Sequence, residues 1–529
     1  MGIEKIIYGL VLISCSLYAT AEDDGEFSRK AFPSNFIFGV GSSAYQYEGG
    51  YVEDGKGLSN WDVFAHIPGK IADGKNGDIA VDEYHRYKED VEIMWKMGVE
   101  MYRFSIAWSR IFPKGDGKIN PLGVKYYNNL INELLSKGIQ PFVTLCHYDI
   151  PQALEEQYGS LLNPRFIDDF AQYAEACFRM FGDRVKYWTT FNEPNTFVFK
   201  EYDTGDYPPN RCSHPFGSCS AGNSSTEPYI AMHNVLRAHA ATVDIYRREY
   251  QTRQGGFIGI VISAAWFEPL RNIPKDLEAS ERIITFHNSW ILDPLAFGEY
   301  PAIMRKLVGK RLPSITEDLH NQLQGSFDFI GLNYYGSRYA TDASEFLNSP
   351  NRDFYQDSLT TVTNVKDGIP IGPQQMYPPD MYGVPFGIEK VVDYIKTRYS
   401  NPPIFITENG FGDQRNDNLP FLQMLNDTFR VDYIEETLKY LAKAVRKGAD
   451  VRGYLVWSLL DNFEWIYGYT SKFGMYHVNY TNGLQRYPKF SAHWYGEFLK
   501  GKSTLHKEEF LREFMESYAG KAIPTIAEV

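Results

Sequence analysis

Basic residues are the minority in this 529-residue chain: 53 Lys and Arg stand against 66 Asp and Glu, a formal charge of −13. That balance argues against nucleic acid and anionic membranes as partners, since both recruit basic patches. Cysteine is scarce, with five residues in all. No His/Cys/Asp cluster has the spacing of a metal site. No glycine-rich phosphate loop lies between a strand and a helix, and the Gly69–Gly77 region falls in a long loop. A Gly-x-Ser-x-Gly elbow is also missing. No Pro/Ser-rich or low-complexity stretch divides the chain, so no linker marks a second domain. The expected chemistry uses no metal and no cofactor.

Long apolar runs are absent except one. Lys5 precedes the stretch from Ile6 to Tyr18, and Ala19-Thr20-Ala21 follows as a small-x-small site. The run is too short to span a bilayer and reads as a signal peptide, residues 1–21, with a short membrane anchor as the alternative. The last residues, Ile526-Ala527-Glu528-Val529, are not a retention signal. A secretory route implies an oxidising compartment, with the cell exterior, cell wall or vacuole as destination. Cys212 and Cys219 lie seven apart in a Pro/Ser/Gly loop and can close a small disulfide. Cys146 in an apolar strand and Cys177 on a helix read as buried thiols. Asn223, Asn426 and Asn479 each begin an N-glycosylation sequon.

What is present is a globular composition, 43% hydrophobic and 22% charged, which excludes disorder. Aromatic residues reach 16%, which serves either a large core or stacking surfaces for sugars and aromatic ligands. Eight short apolar strands alternate with amphipathic helices: Phe36–Val40, Glu100–Ile106, Pro141–His147, Tyr187–Asn192, Phe257–Ile262, Phe327–Asn333, Pro403–Thr407 and Gly453–Ser458. Between them, Tyr126–Lys137 and Pro164–Phe181 carry apolar residues at helical spacing, with Gly138 and Gly182 as C-terminal stops. Eight βα units without a linker predict a single (β/α)₈ TIM barrel over residues 22–529. The excess length falls in long loops, chiefly Glu48–Asp82, Lys200–Glu227 and Tyr339–Met381.

In this fold the site lies at the C-terminal ends of the strands. Polar groups gather there: Gln46, Arg103, His147, Asn192-Glu193, Asn333-Tyr334-Tyr335, Glu408 and Trp457 through Trp465. A single glutamate after a strand is more often a solvated loop residue. Seven strand ends bearing polar groups on one rim make that explanation weak. Glu193 follows strand four and Glu408 ends strand seven, so the two face each other across the barrel mouth. Paired carboxylates flanking a bond are what glycoside hydrolysis needs. Arg103, if directed at Glu408, is expected to hold that carboxylate ionised, while Glu193 has no adjacent cation.

These residues resemble glycoside hydrolase family 1, and the plant β-glucosidases in particular, from about Phe32 to Leu499. The matching motifs are Phe38–Gln46, Tyr102–Arg110, Thr190-Phe-Asn-Glu193-Pro, Ile406-Thr-Glu408-Asn-Gly410 and Trp457–Trp465. The resemblance implies a retaining β-glucosidase that releases a terminal non-reducing β-D-glucosyl residue, with Glu193 as acid/base and Glu408 as nucleophile. It implies that Gln46, His147, Asn192, Glu464 and Trp465 hold the sugar hydroxyls. Trp457 is the floor under the ring and Phe473 an aromatic wall. Tyr335 and Arg103 contact the nucleophile, and Asn333 supports the same region. Myrosinase-type relatives carry Gln where this chain has Glu193, so a thioglucosidase is disfavoured.

On the leaving-group side the chain departs from its relatives. Many plant members place a Trp about 25 residues before the nucleophile; the matching position here is Asp380, in Pro378-Pro379-Asp380-Met381-Tyr382. Phe197, Tyr202, Tyr377 or Phe463 is the expected substitute platform. The Pro208–Pro228 stretch is similar to the monolignol-glucoside hydrolases, which implies coniferin or syringin as a small aromatic β-glucoside substrate. Two alternatives remain: a transglucosidase on the same carboxylates, and an inactive sugar-binding protein.

Overall fold

The computed structural model describes residues 27–518, apart from 350, 377 and 415–418. The expected signal peptide therefore lies outside the described residues.

Eight strands form the barrel: β1 (Ile37–Gly41), β2 (Met101–Ser105), β3 (Gln140–Cys146), β4 (Tyr187–Asn192), β5 (Phe257–Pro269), β6 (Phe329–Asp342), β7 (Ile404–Asn409) and β8 (Val451–Val456). Each pairs in parallel with the next, and β8 returns to β1, which closes the sheet. Parallel neighbours require crossover segments, and helices supply them around the outside. The Arg165–Phe181 helix shows why: Phe166, Phe170, Tyr173, Cys177, Phe178 and Phe181 recur at three- and four-residue spacing and are all buried.

A layer of large side chains plugs the N-terminal end of the barrel. Met101, Phe142, Phe329, Phe405 and Leu455 form it, with Ile37 and Tyr187 packed against them. Phe142, Phe329 and Phe405 meet edge to face at 5.3–5.7 Å. Strand β5 contributes Gly259, where an added Cβ would lie 2.3 Å from the Phe329 carbonyl oxygen and 3.0 Å from its ring. The plug leaves only the opposite rim for a site.

Several sequence-based boundaries shift. Strands β5 and β6 continue well past Ile262 and Asn333, because they keep pairing from Trp266↔Ser337 to Pro269↔Ala340 beyond the rim. Thr360–Thr363 then adds antiparallel to the end of β6, so the Tyr339–Met381 segment begins as sheet. The β6 extension mixes Gly336, Ser337, Arg338, Thr341 and Asp342 among its apolar residues, so its apolar run ended earlier than the strand. The helix expected from Tyr126 starts at Pro121, with Asn120 capping the Leu122 N–H at 3.2 Å. Gly138 takes the left-handed conformation of a helix stop, with φ 75°. Gly182 does not; its φ is −71°. It makes room instead for Gln254, which would lie 2.0 Å from an added Cβ and whose amide donates to the Phe178 carbonyl at 2.8 Å.

Cys212 and Cys219 are disulfide-bonded, and Cys146 and Cys177 are buried thiols. Asn223 and Asn426 are exposed. Asn479 corrects the third sequon: it is 1% exposed, and its side-chain oxygen accepts from the Thr481 and Asn482 N–H groups at 3.0 Å. The folded strand leaves no room there for a glycan. No helix of the described residues is long and apolar enough to cross a membrane.

Candidate active site

The motif residues converge at the C-terminal rim. Glu193 follows β4 at φ 45° and ψ 55°, a left-handed turn that a glutamate adopts only under constraint. Pro194 begins the next helix immediately, and the Glu193 N–H is tied to the Val261 carbonyl of β5 at 2.9 Å. Together these turn the side chain into the mouth. Glu408 lies within β7, where the pairing with β6 shifts register between Ile406 and Glu408 and sets Glu408 opposite Asn333.

One hydrogen-bonded chain joins the two carboxylates. Arg103 donates from Nη1 to Glu408 Oε1 at 2.5 Å and from Nη2 to Asn192 Oδ1 at 2.6 Å. Asn333 Nδ2 reaches the same Asn192 oxygen at 3.0 Å and Glu193 Oε1 at 2.8 Å. Tyr335 donates to Glu408 Oε2 at 2.8 Å. Asn333 therefore differs from its expected place: its side chain supports Glu193, not Glu408, and Thr407 orients it through a 2.7 Å hydrogen bond to Oδ1.

The residues expected to hold a sugar come from the ends of β1, β3, β4 and β8. Gln46 Nε2 donates to Asn462 Oδ1 and the Phe463 carbonyl at 2.9 Å and lies 3.4 Å from Glu464 Oε2. The His147 ring is sandwiched between Trp457 and Trp465, each 5.9 Å away and within 17° of parallel. Asn192 Nδ2 meets His147 Nε2 at 3.1 Å, which makes that nitrogen the acceptor and leaves the proton on Nδ1. Nδ1 is buried with no partner among the described residues. Trp465 has φ 51° and also packs on Tyr45, Trp61 and Tyr148. Phe473 stands 5.8 Å from the Tyr335 ring.

Electrostatics correct one expectation. Arg103 does reach Glu408, yet burial pushes that carboxyl up to about 7, with Arg103 opposing the rise and the neighbouring Glu193 charge adding to it. Burial, reinforced by Glu408, pushes Glu464 up to about 8. Burial and the Arg103 charge hold His147 well below the usual histidine range, so the ring is neutral. Among the described residues, no group of three or more His, Cys, Asp or Glu side chains forms a metal site.

Sequence reasoning missed Tyr148. Its hydroxyl donates to Glu193 Oε2 at 2.7 Å from a residue at φ 73°. The positive φ of a tyrosine has no sequence signature. The leaving-group platform was also misplaced. Phe197, Tyr202 and Phe463 are at most 1% exposed and belong to the core; Tyr377 lies outside the described residues. What opens beside Tyr335 is a cavity of about 180 Å³ that includes Asp380 in its lining.

Known proteins share this arrangement. Residues 28–504 match glycosyl hydrolase family 1. The chain is 51% identical over 493 residues to coniferin β-glucosidase of Pinus contorta, covering 93% of this chain and 96% of that protein. It is 51% identical over 490 residues to probable inactive β-glucosidase 14 of Oryza sativa subsp. japonica, covering 90% of this chain and 94% of that one. A crystal structure of a rice β-glucosidase superposes with TM-score 0.87 at 47% identity, covering 90% of this chain and 99% of that one. The chain belongs to glycosyl hydrolase family 1 and is a glycosidase built like the plant β-glucosidases.

Proposed function

We propose that this enzyme is a retaining β-glucosidase that hydrolyses small aromatic β-D-glucosides. The observation that carries the reading is the Glu193–Asn333–Asn192–Arg103–Glu408 chain, which fixes two carboxylates across one mouth with separate partners. Glu408 attacks the anomeric carbon as Glu193 protonates the leaving oxygen. Glu193 then takes a proton from water, whose oxygen displaces Glu408. Arg103 and Tyr335 aim the two Glu408 oxygens. Neutral His147 offers its unpartnered Nδ1–H to a sugar hydroxyl, and Glu464 beside Gln46 supplies an acceptor. A rice relative at 46% identity has been seen in a covalent complex with glucose, which supports the two-step route.

Both carboxylates are in place, which favours an active enzyme over the sugar-binding alternative. Purified protein given phenyl β-glucoside with a small alcohol acceptor tests the rest. Free glucose as the main product is expected. Dominant transfer at low acceptor concentration would make it a transglucosidase, and no turnover across aryl β-glycosides would remove the enzyme reading.

In this reading residues 1–21 are a signal peptide, 22–529 the mature barrel, and the destination is the cell exterior, wall or vacuole. The Cys212–Cys219 disulfide supports an oxidising route. Glycans are expected on Asn223 and Asn426. Endoglycosidase-sensitive mobility should change in N223Q and N426Q and stay unchanged in N479Q.

A further inference from the structure

Tyr148 adds one group to the hydrogen-bonded chain at the barrel mouth, and its role rests on the reading above that Glu193 is the acid/base of a β-glucosidase. It stands two residues past the end of β3, directly after His147. Side chains alternate in direction along a strand, so consecutive residues do not normally serve one site. Here the alternation is broken. Tyr148 takes φ 73°, a left-handed conformation that a bulky residue adopts only under constraint. The turn is tied on both sides: the Ile150 N–H donates to the Tyr148 carbonyl at 3.1 Å, and the His147 N–H donates to Asp149 Oδ1 at 3.4 Å. Two consecutive side chains therefore enter the mouth, where His147 meets Asn192 and Tyr148 meets Glu193.

The two oxygens of Glu193 are served by different chemistry. The Tyr148 hydroxyl donates to Oε2 at 2.7 Å and is the one donor to that oxygen among the described residues. Its ring is boxed by Trp465 at 4.8 Å, Phe197 at 5.7 Å and Tyr207 at 6.0 Å. Tyr148 is 4% exposed and Glu193 7%, so water has little access to replace the phenol. Burial and the Glu193 charge push the phenol well above the usual tyrosine range, which keeps it a neutral donor. At Oε1 the donor is Asn333 Nδ2, at 2.8 Å, and Thr407 fixes the orientation of that amide by donating to Asn333 Oδ1 at 2.7 Å. An amide N–H can only donate, whereas a phenol donates and accepts. Oε2 is thus the oxygen that keeps its partner whether it is bare or carries a proton.

We propose that Tyr148 is a positioning residue that makes Glu193 Oε2 the oxygen through which the proton passes in both steps. In the first step the Oε2 proton goes to the leaving oxygen as that oxygen parts from the anomeric carbon and Glu408 bonds to the same carbon. In the second step Oε2 takes a proton from water as the water oxygen bonds to the carbon and the bond to Glu408 breaks. Tyr148 acts only through Glu193: it fixes the direction of Oε2, as Tyr335 does for one oxygen of Glu408.

The test is Y148F, which keeps the ring and removes the hydroxyl, on phenyl and 2,4-dinitrophenyl β-glucosides. Phenoxide leaves only with proton assistance, so kcat/KM for the phenyl substrate is expected to fall about tenfold. Dinitrophenoxide leaves unaided, so kcat/KM for that substrate is expected to change little. Its kcat and KM should instead fall together, because the glycosyl-enzyme forms normally and accumulates when water is poorly activated. Azide is an anion that needs no general base, and adding it should restore kcat in Y148F. A packing defect produces neither the split between substrates nor the rescue.

A double-mutant cycle with E193A, read on the dinitrophenyl substrate, checks the route of the effect. A residue that acts only through Glu193 has nothing left to position once that side chain is gone, so Y148F is expected to cost nothing further in the E193A background. Equal losses on the two substrates, no loss on either, or a further loss beside E193A would each overturn the proposal while leaving the glucosidase reading intact. If wild type cleaves neither substrate, the glucosidase reading fails and the role of Tyr148 falls with it.

Discussion

The two sides of the barrel mouth are made differently. On the sugar side, drawn from the ends of β1, β3, β4 and β8, Gln46, His147, Asn192 and Trp457 are buried; Asn192 bonds to His147, Gln46 bonds to Asn462 and the Phe463 carbonyl, and the His147 ring stacks on Trp457 and Trp465. On the β5/β6 side, Arg338, Tyr355, Asp380 and Tyr382 are half-buried or exposed and loosely paired. A buried donor left empty, such as His147 Nδ1, penalises any ligand that fails to fill it. An exposed group does not, because water fills it. The first side should therefore demand one sugar, and the second should grade its partners.

The comparison breaks first at the carboxylates. E408Q should lose activity by on the order of 10⁴-fold or more on every substrate. E193A should lose on the order of 10²–10⁴-fold on poor leaving groups and far less on activated aryl glucosides. Steady-state kinetics on a leaving-group series separates the two patterns. A uniform loss in E193A would count against its role as the acid.

Next comes the sugar side. E464Q should lower kcat/KM by roughly 10²-fold whatever the leaving group, because in the proposed function Glu464 contacts the glucose alone. A loss that depends on the leaving group would erase the distinction between the two sides.

The pH profile gives a smaller effect with a definite sign. In the proposed mechanism Glu408 reacts as the carboxylate; burial pushes its carboxyl up to about 7, with Arg103 and Tyr335 opposing the rise. Removing an opposing group raises it further and reduces the ionised fraction at a given pH. The ascending limb of kcat/KM should therefore move to higher pH in R103K, whose point charge cannot reproduce the forked contact, and by less in Y335F. A limb unmoved in both would show that Glu408 does not set it.

Much of this was legible in the chain. The eight apolar runs predicted eight strands because parallel strands covered on both faces must be apolar throughout. The motifs around Glu193 and Glu408 predicted the rim, since βα loops carry the chemistry of this fold. The contact of Arg103 with Glu408 was implied by the family resemblance.

Other features had no linear trace. Asn333 supports Glu193 because the β6/β7 register shift sets it opposite Glu408 while its amide points to β4. Asn479 reads as a sequon, and only its place in a paired strand buries it. The aromatic residues nominated as a platform went to the core, while Asp380, noticed for what it replaces, lines an open cavity. Apolar periodicity is a property of neighbours in sequence, so the sequence by itself determined the barrel and the identity of its rim residues. Burial of a given amide, the direction of a side chain and the spacing of two charges depend on groups brought together by barrel closure. Only the tertiary structure decided which rim residues touch, and how far a neighbouring cation offsets the cost of burying Glu408.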